Sequence, residues 1–127
     1  MDKNFLIDGN NFSNLREFYE EFRRVLTPGV SWGSNLDAFA DVLKGGFGTP
    51  DEGYTLVWKN SDVSKERLGY AATVAELEHR LARAHPQART SIEERIADAK
   101  RGVGPTVFDW IVDVIREENP KIELKFE

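Results

Sequence analysis

The chain has 127 residues with 22 acidic and 17 basic side chains, a net charge of −5, and no cysteine. This length suits one domain with its own core. The lack of cysteine excludes disulfides and thiolate metal sites. The excess of acidic residues argues against nucleic-acid binding, which needs clustered Lys and Arg. There is no run of 18 apolar residues and no N-terminal secretion signal, so we expect a cytoplasmic protein without membrane contact.

The chain is predicted to begin with a buried strand followed by an amphipathic helix. Residues 5–7 form a short apolar run of the kind found in buried strands. Ser13 is the predicted cap of a helix that ends at Leu26, before the breaker residues 27–29. The predicted apolar face of this helix consists of Leu15, Phe18, Phe22, Val25 and Leu26.

A second, shorter helix is predicted over residues 36–44. Ser34 or Asn35 can cap its N-terminus, and Gly45 and Gly46 offer the backbone geometry that commonly ends a helix. The predicted buried stripe consists of Leu36, Phe39, Ala40 and Leu43.

Two carboxylates on this helix are the main candidate for a functional feature. Asp37 and Asp41 are four residues apart and therefore lie on one face. Like charges at this spacing mildly oppose helix formation, so the pair either belongs to an ordinary solvated face or presents a binding surface to a cationic partner. The two residues alone leave both readings open.

The middle of the chain is predicted to contain a strand and a pair of helices. Residues 54–58 are rich in β-branched and aromatic side chains, as strands are. Residues 70–104 show two helical patterns separated by Pro86, with capping-box patterns beginning at Thr73 and Ser91. Their apolar stripes are Leu77 and Leu81, then Ile92, Ile96 and Ala99. We interpret this region as a helical hairpin packed on the domain; a lid over a partner surface and a dimer interface are the alternatives.

A last helix and a last strand complete the predicted order. Pro105 suits the first turn of this helix, and Asn119 with Pro120 ends it. Its apolar residues are Val107, Phe108, Ile111, Val114 and Ile115, with Trp110 beside them. Residues 122–126 alternate apolar and charged side chains, which predicts a strand with one polar face. Strands separated by helices predict parallel pairing in a small α/β sheet.

The residues that could support catalysis are few. His79 and His85 are six residues apart, which matches no common metal motif, and we interpret them as surface or capping residues. No phosphate loop, dinucleotide fingerprint or nucleophile elbow is present. Asp37 and Asp41 on one short helix give poor support for a glycosidase pair or a metal site. We expect no enzymatic activity, no cofactor and no bound metal; a small metal-dependent hydrolase is the less favoured alternative.

A longer pattern runs through residues 32–45 and resembles the signature of the barstar family, intracellular inhibitors of secreted bacterial ribonucleases. It reads Trp32-Gly33-x-Asn35-Leu36-Asp37-Ala38-Phe39-x-Asp41-x-Leu43-x-Gly45. Residues 5–9, 54–58 and 112–117 resemble the family's first strand, second strand and last helix. The resemblance implies a single barstar-like α/β domain over residues 1–127, with a small three-stranded parallel sheet packed with helices and an inserted helical hairpin at approximately 70–104.

The resemblance also implies a mechanism of occlusion. In the barstar family the second helix and its preceding loop enter the ribonuclease active site, where carboxylates replace the RNA phosphate. Carried over, Asp41 is the candidate phosphate mimic, and Asp37 and Glu117 are flanking acidic contacts. The full set of implied partner-binding residues is Trp32, Gly33, Asn35, Asp37, Ala40, Asp41, Gly45 and Glu117.

The implied partner is a basic ribonuclease of the extracellular type or a related toxin domain, and we expect the inhibitor to be a monomer. Ser31, Ala40 and Gly46 stand where the family has aromatic residues. Aromatic anchors supply much of the affinity of an interface. A barstar-like protein that binds a different toxin, or that has a regulatory or scaffold role, is therefore the alternative.

Overall fold

The computed structural model describes residues 3–127, in which three strands form one parallel sheet and six helices surround it. The strands are β1 (Asn4–Asp8), β2 (Tyr54–Lys59) and β3 (Ile122–Phe126). The helices are α1 (Leu15–Leu26), α2 (Leu36–Lys44), α3 (Ser61–Arg67), α4 (Tyr70–Leu81), α5 (Pro86–Lys100) and α6 (Val107–Glu118). The strand order is β1-β2-β3, which confirms the predicted α/β class and parallel pairing.

The central strand β2 carries the core of the sheet. Leu56 and Trp58 are both completely buried. Leu56 pairs in register with Phe5 of β1 and Leu124 of β3, so these apolar residues lie in one row across the sheet. The indole Nε1 of Trp58 donates a hydrogen bond to Ser64 Oγ at 2.9 Å, which satisfies the one polar atom of a buried ring.

A cluster of aromatic rings joins α1 and α2 to the sheet. Phe18 of α1 is fully buried, and its ring centroid lies 5.3 Å from Phe39 of α2 and 5.6 Å from Trp58 of β2. Edge-to-face and offset contacts at such distances are favourable beyond the area that they bury. The predicted apolar faces of α1 and α2 therefore point into the core, and Tyr19 and Val42 join them. Ala40, a member of the predicted buried stripe of α2, is the exception because it is only half-buried and lies outside the core cluster.

Two of the predicted helix starts are wrong. Asn14, not Ser13, caps α1, because Asn14 Oδ1 accepts the Glu17 N–H at 2.9 Å. Pro105 lies ahead of α6 and not in its first turn. Thr106 caps that helix and forms a reciprocal capping box with Asp109. In both cases the side chain that accepts the first free N–H determines where the helix begins.

The predicted hairpin is confirmed, but its capping boxes are wrong. Helices α4 and α5 pack on each other, with Leu77 and Ile96 buried in the core. Thr73 and Ser91 lie inside these helices. Helix α4 begins after Gly69, and α5 begins after His85, whose Nδ1 accepts the Gln87 N–H at 3.2 Å.

Contacts from side chains fasten the hairpin to α6. The Thr73 hydroxyl donates to Gly69 O at 2.8 Å and accepts the Val107 N–H at 2.9 Å. The guanidinium groups of Arg80 and Arg95 lie over the Trp110 ring, 4.8 and 5.2 Å from its centroid. Both helices of the hairpin are thereby held against the last helix.

Helix α3 was not predicted as a separate element. Its buried residues are Ser61 and Ser64, so it has no apolar stripe that a periodicity search could detect. Across residues 3–127, no helix combines the length and the apolar character needed to cross a bilayer.

Candidate functional site

Helix α2 presents Asp37 and Asp41 to solvent, and we call these two residues the acidic face. Asn35 caps the helix by accepting the Ala38 N–H at 2.8 Å, which decides between the two predicted caps. Asp37 lies in the first turn, where the helix dipole favours a negative charge. Asp41 lies one turn later, and 68% of its side chain is exposed. Both carboxylates can therefore reach a partner.

The opposite side of α2 is anchored in the core, so the acidic face has a defined orientation. Phe39 and Val42 are fully buried. At the C-terminal end, Asn119 Nδ2 donates to Leu43 O at 2.9 Å, and the Gly45 N–H donates to Val42 O at 3.2 Å. Gly45 has a φ angle of +112°, which a residue with a side chain could adopt only with backbone strain. A surface held in place before binding loses less entropy on association.

Trp32, which the sequence assigned to partner binding, also fastens the loop before α2. Its Nε1 donates to Thr27 Oγ1 at 3.0 Å, and the Arg23 guanidinium lies 4.5 Å from its ring centroid. Arg23 Nη2 also donates to Trp32 O at 3.0 Å. At Gly33, an added Cβ would lie 3.3 Å from Ala38 Cβ, so glycine allows the loop to approach the helix closely.

The positions where the family has aromatics carry small residues on this surface. Ser31 and Gly46 are exposed, and Ala40 is half-buried between the two acids. These three positions therefore offer no ring for a partner to contact.

The structure places the carboxylate of Glu118, on α6, beside the acidic face, whereas the resemblance implied its neighbour Glu117 as a partner contact, and that assignment stays a prediction. Glu118 Oε2 lies 3.4 Å from Lys44 Nζ, and the same ammonium lies 3.9 Å from Asp41 Oδ1. Glu117 is exposed and forms no ion pair with the described residues. Glu118 follows the fully buried Ile111 and Ile115 by seven and three positions, so the helical period could have indicated that it points toward α2.

A groove of about 480 Å³ lies between the N-terminus of α2 and helix α4. Asp37 lines one wall, and His79, Arg80 and Arg83 line the other together with Glu76, which pairs with Arg80. Tyr19 of α1 also lines it. The sequence did not predict this groove. The two histidines have separate surroundings, since His79 lines the groove while His85 caps α5.

The candidate site contains carboxylates and cations but no arrangement suited to a metal. Within residues 3–127, no group of three or more His, Asp or Glu side chains lies close enough together to hold an ion. The chemistry that the arrangement supports is recognition through exposed charges on a rigid helix.

Comparison with known families matches residues 3–122 to the family described as Barstar (barnase inhibitor). The match spans α2, the hairpin and α6, and therefore every residue of the candidate site. A search of curated proteins found no match.

Proposed function

Because the chain belongs to the barstar family of barnase inhibitors, we propose that it inhibits a ribonuclease by placing the acidic face of α2 in the enzyme's active site. The observation that carries this proposal is the orientation of Asp37 and Asp41: both are exposed on a helix whose opposite side is buried. The overall charge of −5 supports it, since complementary fields speed the encounter with a basic enzyme.

The proposed mechanism is occupation of the phosphate site without any chemical step. Ribonuclease active sites hold the RNA phosphate with cationic side chains, and a carboxylate offers the same acceptor oxygens. Asp41 is available for this role because its only ion pair in residues 3–127, to Lys44, spans 3.9 Å and is solvent-exposed. Charge-assisted bonds to Arg in a desolvated interface are among the strong ones. Asp37 and Glu117 are the proposed flanking contacts, and Glu118 is a further acid beside them.

We propose that the target differs from barnase in the surface that meets Ser31, Ala40 and Gly46. These small side chains leave room that the family's aromatics would fill, so a partner with bulkier residues at that place fits better. A ribonuclease or a related toxin domain with such a surface is the proposed target. A regulatory role without an enzyme target is the second candidate, and the lack of aromatic side chains at these three positions favours it.

The test is a titration of RNA cleavage by a panel of small basic bacterial ribonucleases, barnase included. We expect stoichiometric inhibition of at least one enzyme, which weakens as salt is raised. The Asp41→Ala substitution is expected to cost at least about 2 kcal/mol of complex stability, which corresponds to roughly 30-fold in the inhibition constant.

The matched control is Glu94→Ala on α5, which removes an exposed carboxylate that forms no ion pair with the described residues. This variant is expected to inhibit like the unaltered protein. Equal inhibition by Asp41→Ala and Glu94→Ala would contradict the assignment of the acidic face. A folded protein that inhibits no member of the panel would favour the regulatory role.

A further inference from the structure

The groove between α2 and α4 places positive charges beside the acidic face. Helix α4 belongs to the inserted hairpin; its last turn contributes His79 and Arg80 to the wall opposite Asp37, and the turn that follows the helix contributes Arg83. The basic wall lies at the end of α2 that the proposed partner must approach. The insertion therefore changes the charge pattern of the binding surface.

Of the two arginines on this wall, one is committed to contacts within the protein and the other is not. Arg80 Nε lies 3.2 Å from Glu76 Oε1, and its guanidinium lies over Trp110. Arg83 is exposed and forms no ion pair or side-chain hydrogen bond with residues 3–127. Asp37 is likewise exposed and forms no ion pair within this range. The groove thus offers one unpaired carboxylate and one unpaired guanidinium on opposite walls.

A buried hydroxyl in the same groove has no hydrogen-bond partner. Tyr19 is 1% exposed, and its hydroxyl forms no hydrogen bond with the described residues. Leaving such a group unpaired costs free energy, which a bound group can recover. Burial raises the pKa of this hydroxyl, and the charge of Glu76 adds to the effect, so the group keeps its proton and can donate.

We propose that α4 and the turn after it form the second wall of the partner-binding site and that the groove receives an acidic side chain of the ribonuclease. The guanidinium of Arg83 can only donate hydrogen bonds, and the Tyr19 hydroxyl has a proton to donate, so the pair suits a carboxylate. The basic active site of the partner then meets Asp37 and Asp41, while an Asp or Glu at its rim meets Arg83. This inference rests on the proposed function, and it adds that the ribonuclease carries an acidic residue at the rim of its active site.

The hairpin is suited to this role because it is fixed in place. Arg80 and Arg95 over Trp110, together with the Thr73–Val107 hydrogen bond, join it to α6. The backbone of this wall therefore keeps a defined position beside the acidic face. Negative charges on α2 and a positive charge at Arg83 disfavour a partner whose surface is uniformly basic, because Arg83 would then face a like charge.

The experiment compares four variants against the ribonuclease of the panel that the unaltered protein inhibits most tightly. Arg83→Glu reverses the charge in the groove. Lys100→Glu makes the same charge reversal on an exposed face of α5 outside it, where Lys100 Nζ forms an exposed ion pair of 4.0 Å with Glu78 Oε1. We expect Arg83→Glu to raise the inhibition constant by at least about tenfold and Lys100→Glu to change it by less than about twofold. Tyr19→Phe is expected to weaken inhibition several-fold without lowering the melting temperature, since the hydroxyl has no partner within the described chain.

The outcomes separate this inference from the proposed function. Equal inhibition by Arg83→Glu and Lys100→Glu, together with a loss in Asp41→Ala, overturns the role of α4 and leaves the acidic face in place. Failure of the unaltered protein to inhibit any ribonuclease of the panel overturns both. Arg83→Gln, which removes the charge without reversing it, must show an intermediate loss if the guanidinium contacts a carboxylate, and no loss overturns the inference.

Discussion

The side chain of Asn35 determines where α2 begins and how the acidic face is presented. Its Oδ1 accepts the Ala38 N–H at 2.8 Å and so satisfies one of the free donors of the first turn. Asp37 lies within that turn. Loss of the cap would allow the turn to fray and would release the carboxylate from its position.

We expect Asn35→Ala to lower the free energy of unfolding by about 1 kcal/mol, the usual cost of removing an N-cap. Urea denaturation followed by circular dichroism measures this change. Ser34→Ala is the matched control, because Ser34 is the exposed neighbour that does not cap the helix, and its substitution is expected to have no effect. A comparable loss in Ser34→Ala would show that the cap is assigned to the wrong residue.

Single residues also show where local patterns mislead. The residues that begin at Thr73 match the capping-box pattern, yet Thr73 lies inside α4 and does not begin it. Its hydroxyl accepts the N–H of Val107, a residue of α6. A pattern of four residues cannot distinguish a helix start from a helix interior, because both place the fourth residue close to the first. The tertiary partner decides which role the hydroxyl has.

At the scale of elements, Glu21 connects α1 to the end of β1. Its carboxylate is 5% exposed and accepts hydrogen bonds from the Asp8 N–H at 2.9 Å, from Asn11 Nδ2 at 2.9 Å and from Arg24 Nη2 at 2.7 Å. Burial alone would raise the pKa of Glu21, but these three donors outweigh it and hold the pKa below the usual value. The ionised carboxylate therefore stabilises the contact between helix and sheet.

The lowered pKa predicts how stability depends on pH. The contribution of Glu21 is complete above the unfolded pKa, about 4.5, and is lost as the pH falls through the lower folded pKa. We expect Glu21→Gln to cost about 1–2 kcal/mol near neutral pH, because buried donors lose a charged acceptor. Its urea midpoint is expected to fall less than that of the unaltered protein between about pH 5 and pH 3.

Glu20→Gln on the same helix is the control for this measurement, because the Glu20 side chain is 61% exposed and its only ion pair in residues 3–127, to Arg16, spans 4.0 Å. The pKa of Asp8 is also lowered, chiefly by a hydrogen bond from the Asn60 amide, and neither substitution removes that hydrogen bond. Parallel pH profiles for Glu21→Gln and the unaltered protein would refute the assignment.

At the scale of the whole molecule, we propose that the chain folds as one domain with the hairpin included. Leu77 of α4 is 1% exposed and belongs to the same buried cluster as Trp58 and Phe18. The hairpin therefore shares its core with the sheet. Such a core predicts that unfolding of the hairpin and of the sheet is a single cooperative event.

We expect Leu77→Ala to lower the free energy of unfolding by about 3 kcal/mol, as the loss of a buried leucine usually does. Far-ultraviolet circular dichroism and tryptophan fluorescence must then shift together in one transition. Leu6→Ala is the matched control, because Leu6 is 49% exposed on β1 and its loss is expected to cost less than about 1 kcal/mol. Two separate transitions, or a main transition that Leu77→Ala does not move, would show that the hairpin is an independent unit.

The sequence by itself determined the fold class, the three strands and five of the six helices, because strand and helix patterns depend on neighbouring residues. The alternation in β3, the stripe of α6 and the Asp37–Asp41 spacing are all properties of short segments, and so is the family signature around them. Helix α3 escaped prediction for the same reason, since two buried serines leave no apolar period.

Only the tertiary structure decided what surrounds the acidic face. The proximity of Glu118 to Lys44 and the groove that joins Asp37, Tyr19 and Arg83 depend on helices from distant parts of the chain meeting at particular angles. Packing of side chains in a shared core sets those angles, and no local pattern encodes them. Asp37 and Asp41 could thus be identified from the sequence. That Arg83 and the Tyr19 hydroxyl lie beside them could be seen only in the tertiary structure.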